Sequence, residues 1–544
     1  MAVVVPTITS EGQALDPTVQ LLSLEIRKEL DRIPEARLVI LDGSVAAREF
    51  AVSNTAFFAP GKAITIALRV GDDPDAQVFA GLVVRHAVEA RDDGLALRVE
   101  LRDAAIALTR RRRSAVYRDQ RDDAVLRKLI GDAGLEVGAI DDTRAEHKEL
   151  VQFYATDWDF LLARADVSGL VVVVDDGAVS ARSMTAAARP KVTIEFGLDD
   201  VREFELEQDA AGQWSGVTGL AWDLAQQAPT QPVEAADTKT LGGAFDPAAV
   251  AGKLGGDAYT LHAPVPLAAA ELQPWADARL ARSRLSLLRG RIVVAGRADL
   301  RPFDRVELRG VGDRFDGPLL VSGVVHRVDL DGWRTELQIG LSPEWFARTP
   351  DIADPPAAGL LPPVGGLQVG LVGGFEADPD GEHRIKVRLA GLDSDDNAVW
   401  ARVARPDAGK DRGFGFWPEP GDEVVVGFLA GDPRQAIVLG SLFGAVNAPP
   451  KAAGGPTEKN ELRALVSRSG TEISFDDKKN ALTLKTPKAS TIVVDDDAEA
   501  ITIKDLHGNT ITMDKDGIKL ESAGDFAVDA KGKVTIKGSA VDLQ

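Results

Sequence analysis

"ITIKDLHGNTITMDKDGIKLES", residues 501–522, sets two apolar residues two apart, breaks for a polar turn, and then repeats the pair. Residues two apart on a strand point to the same face, so each strand offers one narrow apolar stripe and a polar reverse side. The rhythm begins near residue 471. It runs through Ile473 and Phe475, Leu482 and Leu484, Ile492 and Val494, Ile501 and Ile503, Ile511 and Met513, and Ile518 and Leu520. It continues with Phe526 and Val528, Val534 and Ile536, and Val541 and Leu543. Asp, Lys, Gly and Asn fill the gaps between pairs. One chain with stripes this narrow does not enclose its own core, and its strand edges stay unpaired. Repeats this short also leave too few residues for a full solenoid coil per chain. Three chains wound on one axis answer both needs, because the stripes meet at the centre and the edges pair between chains. The spacing therefore predicts a trimeric β-prism, with the first eight pairs in its core and Val541, Leu543 and Gln544 at its tip. A monomeric parallel β-helix would need longer coils. An amyloid-like or calcium-binding array is a further use of such repeats, but the Gly-Asp nonapeptide pattern for calcium is absent.

Upstream stands "PEPGDEVVVGFLAGDPRQAIVLGSLF", residues 418–443, which is well ordered yet contains no His, no Cys and no serine in a nucleophile setting. With "HRIKVRLAGL" and "AVWARVARP" it makes a set of short strands between Gly and Pro turns, the pattern of a small Greek-key barrel of the OB type. OB barrels often bind oligonucleotides. Here Trp400, Phe414, Phe416 and Trp417 stand near as many acids as bases, which favours a scaffold over a stacking platform. Pro/Gly/Ala-rich linkers flank the barrel. The expected organisation is a hub over 1–348, a linker over 349–366, the barrel over 367–445, a second linker over 446–465 and the needle over 466–544.

The hub reads as mostly β, and it contains an echo. "FAGLVVRHAVEARDDGLALRVEL" (79–101) resembles "FDGPLLVSGVVHRVDLDGWRTELQI" (315–339), with His86 and His326, and Gly94 and Gly332, in comparable places. A duplicated hairpin unit implies two related barrels per chain. Two barrels in each of three chains make six, so a three-fold needle matches a six-fold ring. Between the echoes, 121–134 and 154–169 have helical spacing. Thr156 or Asp157 is the expected N-cap of the second helix, Gly169 its stop, and Trp158, Leu161, Leu162 and Ala165 its apolar stripe.

Composition narrows the function. The chain has 544 residues, 44% of them apolar, no cysteine and a formal net charge of −21. Folded cores are expected, disulfides and thiolate chemistry are excluded, and the acidic balance argues against a nucleic-acid partner. The basic run Arg110–Arg113 reads as a solvated strand end or a protein contact. No apolar stretch is long enough to span a bilayer, and "MAVVVPTITSEGQALD" has neither the basic start nor the apolar core of a signal peptide. Histidines 86, 147, 262, 326, 383 and 507 are scattered, and no His-Glu-X-X-His, Gly-X-Ser-X-Gly or phosphate loop is present. Catalytic, cofactor-binding and metal residues are expected to be none. Asp505 and His507 form the one candidate for an axial ion, against the simpler reading of a surface turn.

The segments "DPDGEHRIKVRL", "WARVARPDAGKDRGFGFWPEPGDEVVVGFLAGDPRQAIVLGSLF" and "VNAPP" in the barrel, "VYRDQRDDAVLRKLI" and "LVQFYATDWDFLLARADVSGLVVVVDDG" in the hub, and "DLHGNTITMDKDGIKLES" in the needle resemble the VgrG spike family of contractile injection systems. Spikes of that family resemble a phage tail hub and puncturing device fused in one chain. The resemblance covers nearly the whole chain; residues 205–290 are its least diagnostic part. It implies a homotrimer that caps a hexameric inner tube within a baseplate and carries a PAAR-repeat tip protein and effector cargo. It implies no nucleic-acid partner and contact with a target membrane only on firing. The compact needle is more similar to spikes of extracellular, phage-tail-like particles. Such a spike is made in the cytoplasm and released or injected on contraction. Residues 444–472 are too few for an inserted catalytic domain, so no enzyme is expected. The alternative is a trimeric β-helical tailspike acting on surface polysaccharide. The expected fold is mainly β: duplicated tube-like β-barrels with helical insertions, an OB-fold barrel and a C-terminal intertwined trimeric β-helix or prism.

Overall fold

The computed structural model describes residues 4–543 apart from 93, 186–188, 224–225, 227, 238–245, 264–266, 350–351, 354 and 391–397. It divides into two compact units, Met1–Asp354 and Pro355–Gln544.

The first unit is built on one 13-stranded sheet. In the N-terminal half, strands Leu21–Glu29, Glu35–Leu41, Ala63–Val70 and Gly94–Arg102 alternate between buried and outward residues. Leu24, Ile26, Leu38, Ile40, Ile66, Leu97 and Val99 thereby share one core. The C-terminal half has its own core, with Ile292, Val306, Leu308, Val321, Leu337 and Ile339. The two halves run into one another where Gly317–Asp329 pairs antiparallel with Leu21–Glu29. The echoed segments are both antiparallel hairpins, Ala76–Arg91 with Gly94–Arg102 and Gly317–Asp329 with Gly332–Ile339. Each closes on a glycine with positive φ, +155° at Gly94 and +103° at Gly332, where a side chain is disfavoured.

Lys28 breaks the apolar alternation. It follows Leu24 and Ile26 on the buried face and is only 2% exposed. Its ammonium pairs with Asp175 and, at 2.9 Å, with Asp176. Asp176 also accepts the Ala80 N–H at 2.9 Å and the Gln77 amide at 2.7 Å. Burial raises the Asp176 carboxyl, but Lys28 and Gln77 hold it below the usual carboxylate range. The turn at 175–177, from an inserted layer, is thus pinned onto the sheet by a buried charge pair, whose disruption leaves an uncompensated ion.

That inserted layer carries helices Asp122–Asp132 and Asp157–Val167. Thr156 caps the second by accepting the Asp159 N–H at 3.0 Å. Ser168 ends it, and Gly169 follows at φ +72°. Trp158, Leu161, Leu162 and Ala165 are buried together in a core of their own. Helix Ala269–Leu285 was not legible in the sequence. Pro274 interrupts it and Arg279, Arg282 and Arg284 lie on its buried side, so no apolar stripe announces it. Among the described residues no helix is long and apolar enough to cross a membrane.

In the second unit five strands, Gln368–Val372, Ile385–Leu389, Val399–Val403, Ala436–Ser441 and Glu423–Phe428, close into a barrel in that order. Every contact is antiparallel except the parallel pair Val399–Val403 with Ala436–Ser441. Val387, Ala401, Val424, Val426 and Val438 fill the interior. The barrel is followed by a seven-stranded antiparallel meander, from Leu462–Val466 to Gly517–Glu521, with strands in chain order.

Candidate functional site: the C-terminal sheet

The register of the meander sets its apolar pairs directly opposite one another. Ile473 and Phe475 face Leu484 and Leu482, which face Ile492 and Val494. These face Ile503 and Ile501, then Ile511 and Met513, then Leu520 and Ile518. Twelve side chains therefore form a ladder two residues wide on one face. Ser474, Thr483, Val493, Thr502, Thr512 and Lys519, the residues between, point the other way. Among the described residues no second layer covers the ladder: Leu484, Ile492, Ile501 and Ile503 are 36–40% exposed, and Ile518 is 73% exposed.

Aspartates close the turns. Asp476 Oδ1 accepts the Lys478 and Lys479 N–H groups, Asp495 Oδ1 that of Ala498, and Asp514 Oδ1 that of Asp516, at 2.8–3.2 Å. This is why Asp follows the pairs Ile473/Phe475, Ile492/Val494 and Ile511/Met513: its carboxylate satisfies the turn backbone and holds the register, a task Thr486 performs for the Ser490 N–H after Leu482 and Leu484. Asp505 belongs to the same series. It accepts the His507 and Asn509 N–H groups at 2.9 Å, and the Asn509 amide at 2.6 Å holds its carboxyl below the usual range. Asp505 and His507 thus make a turn. Among the described residues no group of three or more His, Asp or Glu is placed to hold a metal.

The last pairs have no strand of their own in the single chain. The spacing places Phe526, Val528, Val534 and Ile536 on strands with buried apolar stripes, as it does the pairs before them. In the chain as folded they are neither. Among the described residues no strand follows Glu521. Phe526 is 67% exposed, Val528 66%, Val534 53% and Ile536 74%, so none of the four is a core residue of this chain. Val541 and Leu543, beyond them, are exposed as well. Gln544 lies outside the described residues.

The other histidines are dispersed over separate elements. His86 contacts Phe58 O and Ser53 Oγ at 2.9 and 2.8 Å. His326, 1% exposed, lies 3.1 Å from Thr335 Oγ1 and accepts from Trp333 Nε1 at 3.4 Å. His147 lies against buried Asp122, which also binds Arg164 at 2.7 Å and Ser168 at 2.8 Å. Each of these three is held by structural partners. In the basic run, Arg112 reaches Ile352 O at 3.0 Å and Arg113 pairs with Asp157 at 2.6 Å. On the barrel Phe414, Phe416 and Trp417 are half-exposed, with Arg405 over the Trp417 ring at 5.0 Å.

Comparison with known proteins follows this division of the chain. Residues 368–443 match the "Type VI secretion system/phage-baseplate injector OB domain" and residues 481–544 the "Phage baseplate V C-terminal trimerisation domain". Type VI secretion system spike protein VgrG1b of Pseudomonas aeruginosa is 31% identical over 133 residues, 22% of this chain and 18% of that protein. Actin cross-linking toxin VgrG1 of Vibrio cholerae is 32% identical over 125 residues, 21% of this chain and 11% of that protein. The matched segment thus spans under a fifth of these curated relatives. Among solved structures, the E. coli c3393 protein, described as a component of the type VI secretion system with structural similarity to T4 bacteriophage tail proteins gp27 and gp5, aligns over 80% of this chain and 99% of its own at 13% identity and a TM-score of 0.41. Residues 1–329, more than half of the chain, match the model described as "Alg8 N-terminal domain", and the chain belongs to that family, as a VgrG-like spike protein with a baseplate injector barrel.

Proposed function

We propose that three copies of this chain form the central spike of a contractile injection machine, of the extracellular, phage-tail-like kind. The hub caps a hexameric inner tube within a baseplate. The C-terminal segments wind into a prism that punctures the target envelope and carries a PAAR-repeat tip protein at Val541, Leu543 and Gln544, with effector cargo. Sheath contraction supplies the work, and no catalytic step is assigned to the chain. The observation that carries this reading is the uncovered apolar ladder, followed by three apolar pairs without a strand partner. Burying such stripes is worth on the order of 25 cal/mol per Å² of apolar surface, and three-fold winding buries the first eight pairs at once. The description of the family matched at 481–544 as a trimerisation domain supports it.

Light scattering on the purified chain tests the assembly: a mass of three 57.8 kDa copies is expected, and a stable monomer sinks the reading. Truncation after residue 460 is expected to leave the hub folded, as followed by tryptophan fluorescence, but monomeric and unable to support puncturing. Loss of polymer when the intact protein is incubated with surface polysaccharide would instead favour the tailspike.

A further inference from the structure

The first unit holds a basic, aromatic cavity of about 340 Å³. Helix Ala269–Leu285 brings Arg279 and Arg282 to one wall. Trp345 and Arg348 come from the short 3-10 turn that follows the last strand of this unit, and Trp214 and Tyr259 complete the lining. The rings form a continuous wall: Trp214 to Tyr259 is 4.8 Å between centroids, and Tyr259 to Trp345 is 6.3 Å, edge to face. Arg279 lies over Trp345, its guanidinium carbon 3.3 Å from the ring centre, and Arg348 stands 4.8 Å from the same ring.

The charge in this cavity is not balanced. Asp166 is shared, accepting from Arg279 Nη2 at 2.7 Å and from Arg282 Nη2 at 2.9 Å. No acidic side chain lines the cavity among the described residues. Arg282 also stands 3.9 Å from Asp31, so three guanidinium groups share two carboxylates, Asp166 and Asp31, neither of which lines the cavity. Arg279 is only 5% exposed, yet its Nε and Nη1 have no partner among the described residues, and neither has Arg282 Nε. Burying donors of a charged group without acceptors is costly. Burial, together with the neighbouring Arg282 and Arg348 and against the pull of Asp166, brings Arg279 down to about 10. In a chain of net charge −21, a buried positive hollow is a local reversal of sign that attracts an anion.

We propose that this cavity is a binding site for a small organic carboxylate with an apolar or aromatic body. The carboxylate takes the free N–H groups of Arg279 and the charge of Arg348, a charge-assisted contact. The body lies against Trp214, Tyr259 and Trp345. The volume is at the small end of ligand pockets, which suits one ring rather than a polymer. The lining residues all belong to the first unit, so the test does not depend on the needle.

Calorimetric titration of the full-length protein with sodium benzoate, sodium acetate and inorganic phosphate decides it. Benzoate is expected to saturate, with acetate roughly tenfold weaker or worse because the rings are left uncovered, and phosphate weaker than benzoate. Arg348→Gln, at an exposed position, is expected to weaken benzoate several-fold with an unchanged melting temperature. Arg279→Gln is expected to abolish saturation, and Arg348→Gln keeps the question answerable if that buried variant does not fold. Absence of saturable benzoate binding at millimolar concentration overturns the proposal, as does a benzoate affinity unchanged in Arg348→Gln. Equal affinity for benzoate and acetate, or tighter binding of phosphate, overturns the assigned ligand class.

Discussion

His326 is 1% exposed on a strand shared by both halves of the hub sheet. Burial, and then the charges of Lys28 and Arg301, push its imidazole down to about 3. The unfolded chain takes up this proton near pH 6.5, above the folded value, so the unfolded state is favoured as pH falls. The contribution of a neutral His326 is complete above about pH 6.5 and is lost progressively between about 6.5 and 3. By pH 4 the loss is on the order of 3 kcal/mol. His326→Gln is expected to flatten this limb of the stability curve, read by urea unfolding of the hub at several pH values. Gly290 is a second site where one atom decides. It sits at φ +146° inside strand Leu288–Ala295, and a Cβ there would stand 1.9 Å from Glu205 O. Gly290→Ala is expected to cost at least about 1–3 kcal/mol, measured as a lowered unfolding midpoint, since both neighbouring strands hold it in register.

Among the elements, the helix Asp157–Val167 is set by a local signal. Thr156→Ala removes the cap on the Asp159 N–H and is expected to cost about 1 kcal/mol, visible in thermal unfolding of the hub. The C-terminal strands carry a different kind of information, because their two faces have different fates. Ile503 is 36% exposed in the single chain, so Ile503→Lys costs little there, within about 0.5 kcal/mol as for a surface position. In a three-fold prism the same change brings three ammonium groups to the axis. Ile503→Lys is therefore expected to abolish the trimer by light scattering, while Thr502→Lys, on the reverse face, leaves it intact. Equal effects from the two substitutions would contradict a buried ladder.

For the whole molecule, the barrel and the strand pattern were legible because their signals are local. Alternation with period two marks Ile385–Leu389 and Glu423–Phe428, and Asp476, Asp495 and Asp514 after alternate apolar pairs mark meander turns. The stretch 205–290 was poorly legible. Its helix buries arginines alongside Leu272 and Leu280, and Arg279 and Arg282 find Asp166 more than a hundred residues away. No spacing rule anticipates a partner at that distance. The same holds for Lys28, an ordinary strand lysine until residues 175 and 176 fold back over it. Phe526, Val528, Val534 and Ile536 show the converse. Their pattern repeats that of the earlier strands, yet the single chain forms no strand there and leaves all four exposed, because hydrogen-bonding partners come from topology and not from periodicity.

The sequence by itself determined which residues alternate, where turns fall, that the apolar pairs up to Ile518 and Leu520 share one face, and that no thiol or metal chemistry has ligands at motif spacing. These are properties of neighbours along the chain, set by strand and helix periods. Only the tertiary structure decided that the two halves of the first unit join through Leu21–Glu29 and Gly317–Asp329. Only it showed that Lys28 is buried, and that Arg279, Trp345 and Tyr259 enclose one positively charged cavity. Burial and charge pairing depend on groups far apart in sequence, and their energies appear only once folding removes water from between them.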